Sequence, residues 1–168
     1  MGSKQYHKLV IYAVLGAVLA GLIYVGLTQK NSAPSLTMTT LSGQSINLAD
    51  LRGKTVLVNF WATSCPGCIK EMPQLVDVYQ RYRQQGLEIV AVAMSYDPAD
   101  NVQRYATENK LPFPVVLDTQ GDIARAFGEV KLTPTTFVID ADGNIAEQTI
   151  GDVDFAKLRQ RLDGAKKS

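Results

Sequence analysis

Apolar positions fall along this chain in two rhythms. Thr55 to Trp61 is β-branched, aromatic and nearly unbroken in its apolarity, as expected of a central strand buried on both faces. After it Met72, Leu75, Tyr79 and Tyr82 recur at helical spacing, predicting a helix that runs to about Gln85 with Gly86 as its C-cap and Pro73 inside it as a kink. Leu87 to Ser95 is a second apolar strand, so strand, helix and strand make a right-handed βαβ unit with a parallel pair. Asp97-Pro98 opens another helix, with Val102, Tyr105 and Ala106 on one face. Leu111 to Pro114 forces extended backbone before a short edge strand, Val115 to Leu117. A short helix, Asp122 to Phe127, precedes a strand from Leu132 to Asp140 that is entered through Pro134. Asp142-Gly143 then turns the chain back along Ile145 to Ile150. Phe155, Leu158 and Leu162 close it with an amphipathic helix. Upstream, Leu36 to Leu41 and Ser45 to Leu48 read as a small hairpin. The order predicts a three-layer α/β domain, a parallel core with an antiparallel edge and helices on both faces.

The first 30 or so residues follow another pattern. Leu9 to Leu27 is a run of 19 residues without a charge, which as a helix spans roughly 28 Å, close to the hydrocarbon thickness of a bilayer. Lys4, Lys8 and the amino terminus precede it, which keeps the tail cytoplasmic and the domain outside. The expected organisation is therefore a tail (1–8), a transmembrane anchor (9–27), a tether (28–35) and a domain (36–168). A cleaved signal peptide is the alternative, but the run exceeds the usual h-region and its best small-residue site, Val18-Leu19-Ala20, lies in its middle. No Cys follows the run to carry a lipid, and Tyr6 weakens a myristoylation reading of Met1-Gly2.

Charge adds one exclusion. Lys+Arg number 17 against 16 Asp+Glu, with no basic cluster in the domain, so nucleic-acid binding is not suggested. The chemistry lies in the two cysteines, Cys65 and Cys68, placed where the central strand gives way to its helix. Unpaired N–H groups and the positive end of the helix dipole gather there and favour a thiolate. A zinc site needs four ligands, and the single His is His7, outside the domain. A structural disulfide closing so short a loop restrains the unfolded chain little. A reversible redox pair fits best, with Cys65 the nucleophile, Cys68 the resolving thiol, and no cofactor or metal required.

Phe60-Trp61-Ala62 before the pair, Pro73 downstream and Thr133-Pro134-Thr135 entering a late strand resemble the thioredoxin fold. The opening hairpin, Leu51 to Lys54, Asn59, Glu71, the inserted helix near 97–110 and Pro134 to Gly143 narrow the resemblance to the TlpA/ResA family, membrane-anchored thioredoxin-like proteins of the bacterial cell envelope. That resemblance implies a cis peptide at Pro134 beside the cysteines, Thr133 offering backbone groups to substrate, and Glu71 under the disulfide. There Glu71 would raise the thiol pKa and pass a proton to a leaving sulfur. Trp61, Pro66 and Gly67 join Thr133 and Pro134 as expected substrate-contact residues.

The chain departs from cytosolic thioredoxins in having Asn59 for an Asp and Ser64 for a Trp. The resemblance implies an extracytoplasmic reductant of disulfides in proteins such as apocytochromes c, recharged by a membrane electron donor. Rival readings are a disulfide-donating oxidant, a peroxide reductase, against which Ala62 stands where a hydroxyl residue is wanted, and a binding module with idle cysteines.

Overall fold

The computed structural model describes residues 7, 10–12, 14–21 and 31–165. The chain divides into two compact units, Met1–Asn31 and Ser32–Ser168. In the first, residues 7, 10–12 and 14–21 are helical. Among the described residues no helix is long and apolar enough to cross a membrane. The expected span 9–27 lies partly outside the described residues, at 9, 13 and 22–27.

The second unit is built on a five-stranded sheet. Its strands are β3 (Thr55–Trp61), β4 (Leu87–Ala93), β5 (Val115–Leu117), β6 (Thr135–Ile139) and β7 (Ile145–Ile150), in the order β5-β4-β3-β6-β7. A separate hairpin, β1 (Thr37–Thr39) and β2 (Ser45–Asn47), precedes them. The helices are α1 (Pro66–Tyr82), α2 (Ala99–Glu108), α3 (Asp122–Ala126) and α4 (Phe155–Ala165). β3 pairs in parallel with β4, and β4 with β5, as the strand-helix-strand reading requires.

The other half of the sheet differs from expectation. β6 runs antiparallel to β3, and β7 antiparallel to β6, so the antiparallel part is two strands wide and begins at the central strand itself. Hydrophobic period carries no strand direction, which is why the pattern gave a parallel core with an antiparallel edge and did not place β6 antiparallel to β3.

Alternation along β3 divides the core. Leu57 and Trp61 face one side, where they meet Met72, Leu75 and Val78 of α1, Val102 of α2 and Phe155, Leu158 and Leu162 of α4. Val56, Val58 and Phe60 face the other, packing with Ile123 and Ala124 of α3, Phe127, Phe137 and Met38. Both faces of the sheet are thus covered, and the three-layer expectation holds.

The edges are finished by loops. Thr40 bridges Val116, and the Leu41 N–H donates to the Val115 carbonyl at 2.8 Å, so the opening hairpin is laid along β5. The last residues of the expected tether are already part of the fold. Ser32 bridges Asn144, and the Ala33 N–H donates to the Gly143 carbonyl at 2.9 Å.

Candidate active site

Cys65 is the N-cap of α1, in extended conformation, and Pro66 occupies the first helical position, where a missing N–H costs nothing. The Cys65 Sγ accepts the Cys68 N–H at 3.2 Å, taking the place an Asp or Ser oxygen holds in ordinary caps. The two cysteines are joined as a disulfide, their Cα atoms 5.3 Å apart. Cys65 is half-buried, whereas Cys68 has no exposed surface. One sulfur is therefore presented and the other held back, the asymmetry that nucleophile and resolving thiol require.

The loop carrying Pro134 closes over this helix end. The Thr133–Pro134 peptide is cis, and Pro134 is buried. A Cβ on Gly67 would stand 3.6 Å from the Pro134 Cδ and 3.5 Å from the Asp152 Oδ1, so Gly67, Pro134 and the Asp152 carboxylate meet at the rim. Two hydroxyls hold the loop. Thr135 Oγ1 donates to the Leu132 carbonyl at 2.8 Å, and Thr133 Oγ1 shares a hydrogen bond of 3.3 Å with the Tyr96 hydroxyl. Thr133 is half-buried and Pro66 exposed.

Trp61 lies elsewhere than expected. It has no exposed surface and packs behind the cysteines, its ring 5.3 Å from that of Tyr105. As the last residue of a strand buried on both faces it belongs to the core, so it cannot touch a substrate in this form.

Glu71 is brought to the site from beneath. Three residues beyond Cys68 and four before Leu75, it falls on the buried face of α1 and is 3 % exposed. Its Oε1 accepts from Asn59 Nδ2 at 3.0 Å and its Oε2 from the Val153 N–H at 3.3 Å. Burial pushes the carboxyl above the ordinary carboxylate range. Those two hydrogen bonds pull the other way, and the Asp152 carboxylate adds to the rise.

The folded protein thus holds this proton to higher pH than the unfolded chain does. The associated stability is fully present below the unfolded carboxyl value and is lost as pH rises through the folded one. A Glu71→Gln variant, which mimics the protonated side chain, is expected to lack that decline. Urea midpoints of both proteins measured across this interval check it, and parallel curves would sink it.

Three contributors escaped the motif reading. Asp97, before Pro98, is not the cap of α2, which has Pro98 at that position and no side-chain bond. Its carboxylate instead accepts the Thr63 N–H and the Thr63 hydroxyl, each at 2.6 Å, and pins the loop that leads into Cys65. Asp152 and Tyr96 join the rim from loops remote in sequence. Only Asp97 left a local signal, a buried-side acid beside a proline, and that signal pointed to a cap. Among the described residues no group of His, Cys, Asp and Glu is arranged to hold a metal ion.

A presented sulfur at a helix N-terminus, a withheld partner one turn inside and a cis-proline loop across them define a dithiol–disulfide oxidoreductase of thioredoxin fold. The Redoxin family model matches residues 28–162. The thiol-disulfide oxidoreductase ResA of Geobacillus thermodenitrificans is 36% identical over 171 residues, covering 98% of this chain and 97% of that one. A solved structure of a putative thioredoxin from Neisseria meningitidis has a TM-score of 0.76 at 36% identity, covering 83% of this chain and 93% of its own. A secreted Mycobacterium tuberculosis disulfide oxidoreductase homologous to E. coli DsbE has a TM-score of 0.68 at 26% identity, covering 77% and 96%. The chain belongs to the Redoxin family and, within it, to the ResA-type thiol–disulfide oxidoreductases.

Proposed function

We propose that this protein is a membrane-anchored, extracytoplasmic reductant of protein disulfides. The observation that carries the direction is Glu71, buried one helical turn from Cys68. A carboxyl group there disfavours a thiolate on the pair, and stabilisation of the reduced, thiolate form is what makes an oxidant.

In the forward reaction the Cys65 thiolate attacks one sulfur of the substrate disulfide, and the other sulfur leaves and takes up a proton. Cys68, its proton passing to Glu71, then attacks the Cys65 sulfur of the mixed disulfide. The second substrate thiolate is released and receives that proton. Two electrons have moved to the substrate, and the Cys65–Cys68 disulfide remains. A membrane donor of the thiol–disulfide type restores the dithiol.

Thr133, Pro134, Pro66 and Gly67 form the contact surface. In the residues from 31 to 165 the exposed large apolar side chains are Tyr96, Leu132 and Ile150, at 57%, 63% and 62% exposure. Tyr96 bonds Thr133, Leu132 precedes it, and Ile150 pairs with Thr135, so all three flank the loop. An extended polypeptide with apolar residues around its cysteines suits this rim. Apocytochromes c are the substrate class that the family likeness favours.

The uncharged run from Leu9 to Leu27 is the anchor, with the amino terminus cytoplasmic. Ile11, Val14, Leu15, Val18 and Leu19 are all exposed, as suits a helix surrounded by lipid.

The test is the equilibrium reduction potential of the pair against glutathione or dithiothreitol. A value below roughly −230 mV is expected, and one above roughly −150 mV would reverse the direction to that of an oxidant.

A further inference from the structure

Behind Glu71 stands a side chain that can serve it whether or not it carries a proton. Asn59 has no exposed surface and interrupts the apolar run of β3. Its Nδ2 donates twice, to Glu71 Oε1 at 3.0 Å and to Thr136 Oγ1 at 2.9 Å, while its Oδ1 is buried without a protein partner. The orientation of the amide is therefore decided at the end facing Glu71 and Thr136.

An amide presents two donors on one side and two lone pairs on the other, in nearly the same volume, and its terminal torsion is close to two-fold. With the nitrogen inward it donates to a carboxylate. With the oxygen inward it accepts from a carboxylic acid. Thr136, 2 % exposed on β6, matches either state, because a hydroxyl accepts from an NH2 group as readily as it donates to a carbonyl.

We propose that Thr136 and Asn59 are positioning residues for Glu71, forming a hydrogen-bond switch in which the Asn59 amide turns over as Glu71 takes up or releases its proton. The amide itself neither gains nor loses a proton. It exchanges an N–H···O⁻ bond for an O–H···O bond, so the buried carboxyl keeps a partner on both sides of the transfer.

An unpartnered carboxyl in such a site would be costly in either state. Burial raises the Glu71 proton affinity above that of an ordinary carboxylate. Among the described residues, Asp152 approaches Glu71 from the β7–α4 loop, Cys68 lies one turn earlier on α1, and β3 presents the neutral Asn59, which Thr136 of β6 holds in turn. Glu147, Asp154, Lys157 and Arg161 line a groove between β7 and α4 whose floor includes Thr136.

This inference rests on the reading of Glu71 as the proton carrier of the pair. Its test is a titration of the labelled full chain, in detergent and with the disulfide intact, from about pH 4 to about pH 9, which runs upward from the ordinary carboxylate value. The Asn59 side-chain amide resonances and the Glu71 carboxyl carbon are followed together. They are expected to move with one midpoint.

Thr136→Val, which keeps the shape and removes the hydroxyl, leaves a buried N–H unpaired when the amide nitrogen faces inward but leaves the inward oxygen bonded to the carboxylic acid, so it should raise the Glu71 proton affinity by about three-fold or more. Thr136→Ser should restore it. Asn59 resonances that stay fixed while the Glu71 carbon moves would overturn the switch and leave the carrier role standing. A Glu71 carbon that does not move across the range overturns both. If Thr136→Val does not fold, the shared or separate midpoints in the unaltered chain decide the matter. Failure of the carrier role alone reads differently, as a Glu71→Gln variant whose Cys65 alkylation rate keeps the original pH profile.

Discussion

With Cys65 replaced by serine, disulfide reduction is expected to fall to the rate seen without protein, and with Cys68 replaced by alanine the protein is expected to accumulate as a covalent adduct with its substrate. The two outcomes differ because the fold treats the sulfurs differently. Cys65 is half-buried at the N-cap, facing the open rim, and its Sγ receives the Cys68 N–H at 3.2 Å. That bond and the unpaired N–H groups of the first turn stabilise the charge of an attacking thiolate. A serine hydroxyl in that place is neither ionised near neutral pH nor able to form a disulfide.

Cys68 has no exposed surface, so it cannot meet an external disulfide. It can reach only the Cys65 sulfur after the first exchange. Without it the mixed disulfide has no internal route to resolution and should survive denaturing electrophoresis in the absence of reductant. The same band should vanish on adding dithiothreitol. A Cys65→Ser protein that still reduces a model disulfide such as insulin would assign the attack to the wrong sulfur.

The largest effect on stability is expected at Phe60. Its side chain is fully buried, and its ring lies 5.5 Å from that of Phe127 and 5.9 Å from that of Phe137, both near edge-to-face. Phe127 and Phe137 in turn are 4.9 Å apart. The three come from β3, the end of α3 and β6, so this cluster holds the short helix α3 to the sheet. Removing the ring at Phe60 leaves a cavity whose walls belong to three separate elements and cannot close together.

Phe60→Ala should therefore cost about 3–5 kcal/mol, out of a total that for domains of this kind is about 5–15 kcal/mol. Urea unfolding monitored by circular dichroism is the measurement, with a lowered midpoint and an unchanged slope. A loss below about 1 kcal/mol would mean that the cluster collapses around the gap.

Much of this was readable from single residues. Thr55 to Trp61 announced a strand covered on both sides, and the cysteines fell at its junction with α1. Glu71 was read through the family likeness alone, although helical phase held the same signal, since Cys68, Glu71, Met72 and Leu75 share one face of α1. A carboxylate on an apolar face is an anomaly that asks for a reason.

Trp61 shows two readings in conflict. Its nearness to the cysteines suggested a contact residue, whereas its place in the apolar run required burial, and packing prevailed. What stayed hidden depended on contacts distant in sequence. The Asp97 carboxylate reaches Thr63 across 34 positions, and Asn59 finds Thr136 across 77. Local periodicity holds no trace of such pairs, nor of the direction in which β6 crosses the sheet.

The opening hairpin also shapes how the molecule meets its neighbours. A sheet side with bare N–H and C=O groups is a template on which another chain can add a strand and start a polymer. Thr40 and Leu41 occupy those groups on Val115 and Val116, so that flank is sealed by the protein's own backbone. The opposite flank, β7, is guarded by charge, with Glu147 paired to Lys157 at 2.7 Å and to Arg161 at 3.0 Å. Neither flank of the sheet is thereby left open for another chain to lengthen it.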